Sequence, residues 1–257
     1  MQMPMNETTA IIERVTSTNS QFQRLELAVE EPIQRIKPGQ SLLARTSDQW
    51  DPYLRDQWWP VDINKDKLII ERPITERYQP SQVINLLGLI GKPYRFRRTL
   101  RNVLLIAYNA PPTPLLMTIP WLLGNRISVT IVLLGTAVTY NTQHLPAEVE
   151  VVHGVEDKNT QNPVHWDNQV MTVGWADQVF AVVNRGDELT EFKQILAQFS
   201  ELRNKVPQNY LFGVFQPQIP CGTGACYACM LKTRMKEGTS LVCTDGPAFD
   251  LTKVILP

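Results

Sequence analysis

The chain has 257 residues, 43% of them hydrophobic and 19% charged, enough to fill the cores of two compact units plus an appendage and to exclude a disordered or fibrous protein. Twenty-five Lys plus Arg balance twenty-five Asp plus Glu, and this neutral sum gives no footprint for nucleic acid or an anionic membrane. The most apolar stretch, Val103 to Leu123, is broken by Pro111, Pro112, Pro114 and Pro120, so no membrane span is expected. The start, MQMPMNETTAII, lacks an export pattern, and the expected location is cytoplasmic.

In chain order, the first hundred residues alternate short β-branched runs with turn signals. TTAIIERV at 8–15, FQRLELAV at 22–29, SLLAR at 41–45, KLIIERP at 67–73 and SQVINLLG at 81–88 read as strands. Five or six strands at this spacing predict a small antiparallel β-barrel over 1–98. After Thr99 the runs become continuously apolar. VLLIAY at 103–108, SVTIVLL at 128–134, VEVVHG at 149–154 and QVFAVV at 178–183 suit strands buried on both faces. Helix candidates lie between them, Thr113 to Leu123 and Glu188 to Ser200, the latter with Leu189, Phe192, Ile195, Leu196 and Phe199 at helical spacing. The alternation predicts a parallel α/β domain over 99–212, followed by a cysteine-bearing domain over 213–257.

All four cysteines fall in that last segment, at Cys221, Cys226, Cys229 and Cys243. In a reducing compartment, crowded thiols bind metal or do redox chemistry rather than pair as disulfides. The spacing C-x4-C-x2-C, with a fourth cysteine after thirteen further residues, is the plant-type pattern for a [2Fe-2S] cluster. Zinc ribbons instead pair two short knuckles, and structural zinc or free thiols are the competing readings. Gly222 and Gly224 lie between the first two cysteines, where a chain wrapping a cluster needs backbone freedom and can aim N–H groups at sulfur.

Elsewhere chemistry is sparse. His144, His153 and His165 are scattered without ligand spacing, and no carboxylate pair, nucleophile elbow or Cys-His motif stands out, so no residue is assigned as catalytic. Trp58 and Trp59 read as packing or interface residues that could also meet a flavin ring. Tyr227 either shields a cluster or is exposed, and Asp245 and Asp250 read as shaping the turn after Cys243.

A barrel, an α/β domain and a C-terminal plant-type cysteine loop, in this order, resemble the iron-sulfur electron-transfer subunits of type B dihydroorotate dehydrogenases, within the ferredoxin-reductase superfamily. The likeness spans nearly the full length. It rests on Pro38-Gly39-Gln40, on Gly88-Leu89-Ile90-Gly91 as the family's GPxG-like turn, on Pro114-Leu115-Leu116, and on CGTGACYAC with CTDGP at 243–247. The resemblance implies a pyrimidine-biosynthesis subunit, rather than the substrate-converting one, carrying electrons between a nicotinamide, FAD, a [2Fe-2S] cluster and the FMN of a catalytic dihydroorotate dehydrogenase partner. It also implies flavin contacts. The family's Arg-Pro-hydrophobic-Ser/Thr stretch falls by position on the segment Tyr53 to Pro60, with Arg55, and by spelling on Arg72-Pro73-Ile74-Thr75, while Gly88 and Gly91 match the turn.

Two departures bear on NAD. Where the family carries a GGGxG-like loop the chain reads AYNAPPTPLL, in which Tyr108, Asn109, Pro111 and Pro112 add bulk and remove donors that would meet a pyrophosphate. Where it carries a CGP-like turn the chain reads VVNRGDEL. Both argue against a nicotinamide site, making another protein the candidate source or sink of electrons. The alternative function is a non-enzymatic, cluster-bearing redox-sensing or assembly module that has lost its nucleotide sites.

Overall fold

The computed structural model describes residues 6–46, 54–154 and 164–257. The first five residues and Tyr53, which opens one of the two flavin-motif stretches, lie outside these. The N-terminal unit is a seven-stranded antiparallel sheet. Its strands are β1 (Asn6–Ser17), β2 (Phe22–Ala28), β3 (Ser41–Thr46), β4 (Asp56–Trp58), β5 (Pro60–Asn64), β6 (Lys67–Pro73) and β7 (Val83–Ile90), with a one-turn helix α1 (Glu31–Gln34) after β2. Their order is β4-β3-β7-β1-β2-β6-β5. The two edge strands, β4 and β5, are separated only by Trp59, so the sheet must curl until its edges nearly meet. Inside the curl lie Ile12, Leu25, Leu27, Leu42, Trp58, Leu68, Ile70, Ile84 and Leu86. The inward positions follow the period-two alternation of β2 and β7. The short β4 and β5 were not among the strands expected from sequence, since DQWWPVDIN mixes polar residues and a proline through the run.

The second unit is a six-stranded sheet. β8 (Asn102–Tyr108), β9 (Ser128–Leu134), β10 (Val149–His153), β11 (Gln178–Val183) and β12 (Leu211–Val214) are mutually parallel. The helical stretch expected from Thr113 to Leu123 is two pieces, α2 (Thr113–Leu116) and α3 (Thr118–Gly124), in a segment where Pro114 and Pro120 each lack the N–H that a continuous helix needs. α4 (Gln169–Trp175) and α5 (Glu188–Arg203) cover the other face. α5 buries Phe192, Ile195 and Phe199 completely, each contributing about 1.5–3 kcal/mol of burial.

The C-terminal segment adds β13 (Met230–Lys232), β14 (Thr239–Leu241), the one-turn α6 (Val242–Asp245) and β15 (Ala248–Asp250). β15 pairs antiparallel with β12, Phe212 opposite Asp250, so the sheet is mixed, order β10-β9-β8-β11-β12-β15, rather than wholly parallel. The expected boundary at 213 falls inside β12, and the cysteine segment is an excursion that leaves the sheet at β12 and returns to it at β15. Among the described residues no helix is long and apolar enough to cross a membrane.

Candidate functional site

The cysteine loop follows β12 after Pro220 as a run of bends without regular structure. Gly222 and Gly224 take φ of +69° and +81°, and a Cβ on Gly224 would lie 3.1 Å from Leu241 and 3.2 Å from Thr244, so glycine at 224 suits both the left-handed backbone and the close approach of the loop to α6. Cys229 and Cys243 are buried, Cys221 is half-buried and Cys226 is exposed. The Cys243 N–H donates to Cys229 Sγ at 3.5 Å. Burial works to raise the Cys221 thiol, but N–H groups of Cys226 and Thr223 aimed at its sulfur outweigh it and bring it down to about 6. Burial, reinforced by the neighbouring Cys229, pushes Cys243 up to about 12. Among the described residues no three His, Cys, Asp or Glu side chains converge on a single-ion site. Tyr227 stands 63% exposed at the loop tip, with φ +58°.

This loop is locked to the barrel through backbone. Gly88 to Ile90 remain in β7, opposite Asn6 and Ser41, so most of the expected four-residue turn is strand, and the chain bends only at Gly91. Gly91 N donates to Cys243 O at 2.9 Å, Lys92 N donates to Gly246 O, and Lys92 Nζ pairs with Asp245 Oδ1 at 3.0 Å. Gly91 has φ +82°, and a Cβ there would lie 3.0 Å from both Gly246 O and Pro247 Cδ. Gly91→Ala should therefore destabilise the chain by about 1–3 kcal/mol and loosen the segment around Cys243, read as a lower urea midpoint and faster amide exchange there.

Between the barrel and the C-terminal ends of β8 and β11 lies a cavity of about 400 Å³. Glu71 forms its buried wall: Tyr140 Oη donates to its two oxygens at 2.9 and 3.0 Å, and Thr113 Oγ1 at 3.2 Å. Burial pushes this carboxyl above its usual range, against the pull of those hydrogen bonds and of Arg24. The same burial, with Arg24 adding to it, lowers His144 beside Tyr140 to about 4, leaving it neutral at pH 7. Because Glu71 belongs to β6 and Tyr140 and Thr113 to the α/β unit, the carboxylate also ties the two units together. Gln57 and Trp59 line the same cavity, and their Oε1 and Nε1 atoms are buried without a hydrogen-bond partner. Arg72 lines it too, but its guanidinium is held by Glu76 and Asp56 and lies 5.2 Å from the Trp58 ring centroid.

The end of β8, where a nucleotide loop would sit, is filled by the chain itself. Asn109 Oδ1 accepts from Thr136 N at 3.1 Å, and its Nδ2 donates to Glu191 Oε1 at 2.7 Å. The other oxygen of Glu191 accepts from Asn184 N at 2.8 Å, so one buried carboxylate in the first turn of α5 straps both loops that departed from the family pattern. Glu188, which opens the same turn, accepts from Gln216 N. Its burial pushes it from 4.5 to about 7. A carboxyl whose pKa is higher in the folded chain than in the unfolded one binds an extra proton on folding, so this stability is present below about 4.5 and is lost as pH rises toward about 7. Glu188→Gln keeps an acceptor for Gln216 and should leave stability near pH 5 little changed while raising it near pH 8 by about 1–3 kcal/mol, measured by urea unfolding.

The sequence-derived candidates thus separate. Arg72 is on the cavity, whereas Arg55 is turned away, donating to Asn85 at 2.7 Å and paired with Glu7. Thr75 is exposed in the turn after β6, and Gly88 packs against Leu42. Trp58 is inside the barrel and Trp59 faces the cavity. Glu71, Tyr140 and Glu191 were missed, because a single Glu within a strand or helix pattern carries no signal of its partners.

Residues 216–255 match the family model described as the iron-sulfur cluster binding domain of dihydroorotate dehydrogenase B. Over 243 residues the chain is 26% identical to a Lysinibacillus sphaericus (strain C3-41) protein named dihydroorotate dehydrogenase B (NAD(+)), electron transfer subunit, covering 88% of this chain and 90% of that one. Among solved structures it is similar to an NADH-dependent reduced ferredoxin-NADP oxidoreductase studied for flavin-based electron bifurcation, with TM-score 0.70, 14% identity, and 96% and 90% of the two chains covered. It is also similar to the ferredoxin reductase in carbazole 1,9a-dioxygenase, with TM-score 0.59, 14% identity, and 81% and 68% covered. The fold is that of the ferredoxin reductases, and the resemblance to dihydroorotate dehydrogenase B electron transfer subunits extends along most of the chain.

Proposed function

We propose that this chain is an electron-transfer subunit in which a [2Fe-2S] cluster, held by Cys221, Cys226, Cys229 and Cys243, relays single electrons to or from a partner oxidoreductase. The partner on this reading is the catalytic subunit of a dihydroorotate dehydrogenase, with FMN as its redox group. What carries the reading is the four-cysteine set inside the matched iron-sulfur domain, on a loop whose N–H groups point at sulfur and whose backbone is bonded to Gly91. Two thiolates per iron and oriented N–H groups are the donor set such a cluster requires.

A flavin fits part of the interdomain cavity. The orphaned Gln57 acceptor and Trp59 donor are two residues apart in the run from β4 into β5 and line the same cavity, so they match the alternating carbonyl and N–H edge of an isoalloxazine. When bound, a flavin would supply the conversion between two-electron and one-electron transfer that a cluster alone lacks. The chain's part is to seat the ring, to exclude water with Trp59 and Pro111, and to hold the Glu71 carboxyl and Tyr140 Oη in fixed hydrogen bonds beside it. For the phosphates of FAD, Arg72 is the cavity's candidate and would first have to exchange Glu76 or Asp56 for the phosphate. The self-filled end of β8 does not fit NAD, and no step is assigned to it.

The test is the flavin-to-iron ratio of anaerobically purified protein, with the flavin released and identified. About one FAD per two irons is expected. Iron without flavin would instead favour a cluster-bearing sensing or assembly module, and a colourless protein would favour zinc and overturn both.

A further inference from the structure

The four thiols of the C-terminal excursion are arranged in two pairs. In one, the backbone N–H and the thiol of Cys226 are both directed at the sulfur of Cys221, beside the N–H and hydroxyl of Thr223. In the other, Cys243 N donates to Cys229 Sγ at 3.5 Å and the two thiols are hydrogen-bonded to each other. Backbone holds each pair. Gly222 and Gly224, both at positive φ, turn the chain back so that Cys221 and Cys226 meet across the loop. Met230 pairs with Leu241 and Val242 N donates to Cys229 O at 3.0 Å, which sets Cys229 beside Cys243. Thiols already in hydrogen-bond contact can close to a disulfide with little movement of the backbone. The pairs differ in access. Cys226 is exposed and Cys221 half-buried, whereas Cys229 and Cys243 are each only 3% exposed, so a soluble reagent reaches the first pair and not the second.

We propose that Cys221 and Cys226 are a redox-modification site of the cluster-free chain, closed into an intramolecular disulfide by a small soluble disulfide of the glutathione class while Cys229 and Cys243 stay reduced. The exposed Cys226 thiolate attacks one sulfur of glutathione disulfide and expels a glutathione thiolate. The Cys221 thiolate then attacks the Cys226 sulfur of the mixed disulfide and expels the second. Two protein thiols are oxidised, one glutathione disulfide is reduced to two thiols, and the two protons that leave the protein pass through water to them. That this closure gates cluster loading rests on the cluster reading above: with Cys221 and Cys226 joined, a [2Fe-2S] cluster lacks half of its thiolates. A reducing glutathione pool runs the exchange backwards and opens the loop, so iron enters only where the pool is reduced. Spacing alone would favour Cys226 with Cys229, since the two form a C-x2-C of the kind found in thiol oxidoreductases. Geometry favours Cys221, because Cys226 donates to it and Cys229 is buried against Cys243.

The test uses the full chain, freed of metal by anaerobic chelation, incubated with excess glutathione disulfide, then unfolded, alkylated and mapped by peptide mass spectrometry. Free thiols should fall from four to two, with one Cys221–Cys226 disulfide and with Cys229 and Cys243 alkylated. Dithiothreitol should restore all four, and only the reduced sample should regain visible bands when supplied with iron and sulfide. Cys221→Ser should stop at the mixed disulfide, carrying one glutathione on Cys226. A Cys226–Cys229 or Cys229–Cys243 disulfide, four thiols surviving the treatment, or equal cluster rebuilding by the oxidised chain would each overturn the proposal. A reduced, four-thiol chain that takes up no iron would sink the cluster reading instead, and the disulfide map would still decide the pairing.

Discussion

Titrating the purified protein anaerobically with NADH should produce neither bleaching of its visible absorption nor measurable heat of binding at millimolar concentrations, while dithionite bleaches it fully. A dinucleotide bound at the end of β8 needs free backbone N–H groups at a helix N-terminus and room for its phosphates. Here Pro111 and Pro112 have no N–H, the Asn109 side chain bridges Thr136 and Glu191, and Glu191 also holds Asn184. A phosphate arriving there would meet the buried Glu191 carboxylate in place of donors, and displacing it would leave that charge without its hydrogen bonds, at a cost of several kcal/mol. The effect on affinity is therefore a loss of orders of magnitude, not a modest weakening. The Lysinibacillus relative carries NAD(+) in its name, which makes the contrast sharp. Reduction by NADH at rates and concentrations ordinary for an enzyme would show that the strap opens, and would return the nicotinamide to this chain's chemistry.

Replacing Cys226 by Ser should be as severe at the other end of the electron path. Iron per chain should fall from about two to near zero, with the visible bands lost, because a hydroxyl does not replace a thiolate in a cluster held by four cysteines. Cys226 is the exposed member of the four, so the substitution opens no cavity and the fold should remain, with far-ultraviolet circular dichroism close to wild type. The separation of these two readouts matters: loss of iron with retained fold assigns a ligand, whereas loss of both would only mark a misfolded protein. Retention of the full cluster spectrum in Cys226→Ser would refute the assignment.

Much of this fold was written in patterns that local physics reads. The apolar runs of β8, β9 and β11 and the helical spacing of Phe192, Ile195 and Phe199 announced themselves because burial on both faces, or on one stripe, dictates residue type, whereas β10, also expected to be buried on both faces, is an edge strand with Glu150 and His153 exposed. β4, β5 and β12 are too short for periodicity to register, and the return of β15 depends on pairing with a strand more than thirty residues earlier, which no window sees. The cysteine set was legible because its spacing is the chemistry. The flavin contacts were less so: motif spelling placed Arg72-Pro73-Ile74-Thr75 against Arg55, but only the curl of the sheet puts Arg72 on the cavity and turns Arg55 toward Asn85. The strap of Asn109, Glu191 and Asn184 joins residues that are far apart in the chain. Sequence could report the missing glycines, but not what took their place.

The pairing of β12 with β15 sets the fate of the chain when its iron is lost. Both ends of the cysteine excursion are clamped as adjacent strands of the main sheet, Val214 opposite Ala248, and Phe215 N bonds back to Pro247 O at 3.0 Å. The excursion is thus a closed loop whose fraying does not spread, since the contacts at its neck and those of the Phe192, Phe215 and Phe249 cluster beneath it need no metal. Damage by oxygen would then be confined to a hinge-less bay that keeps its mouth shut to width and register, ready to be refilled.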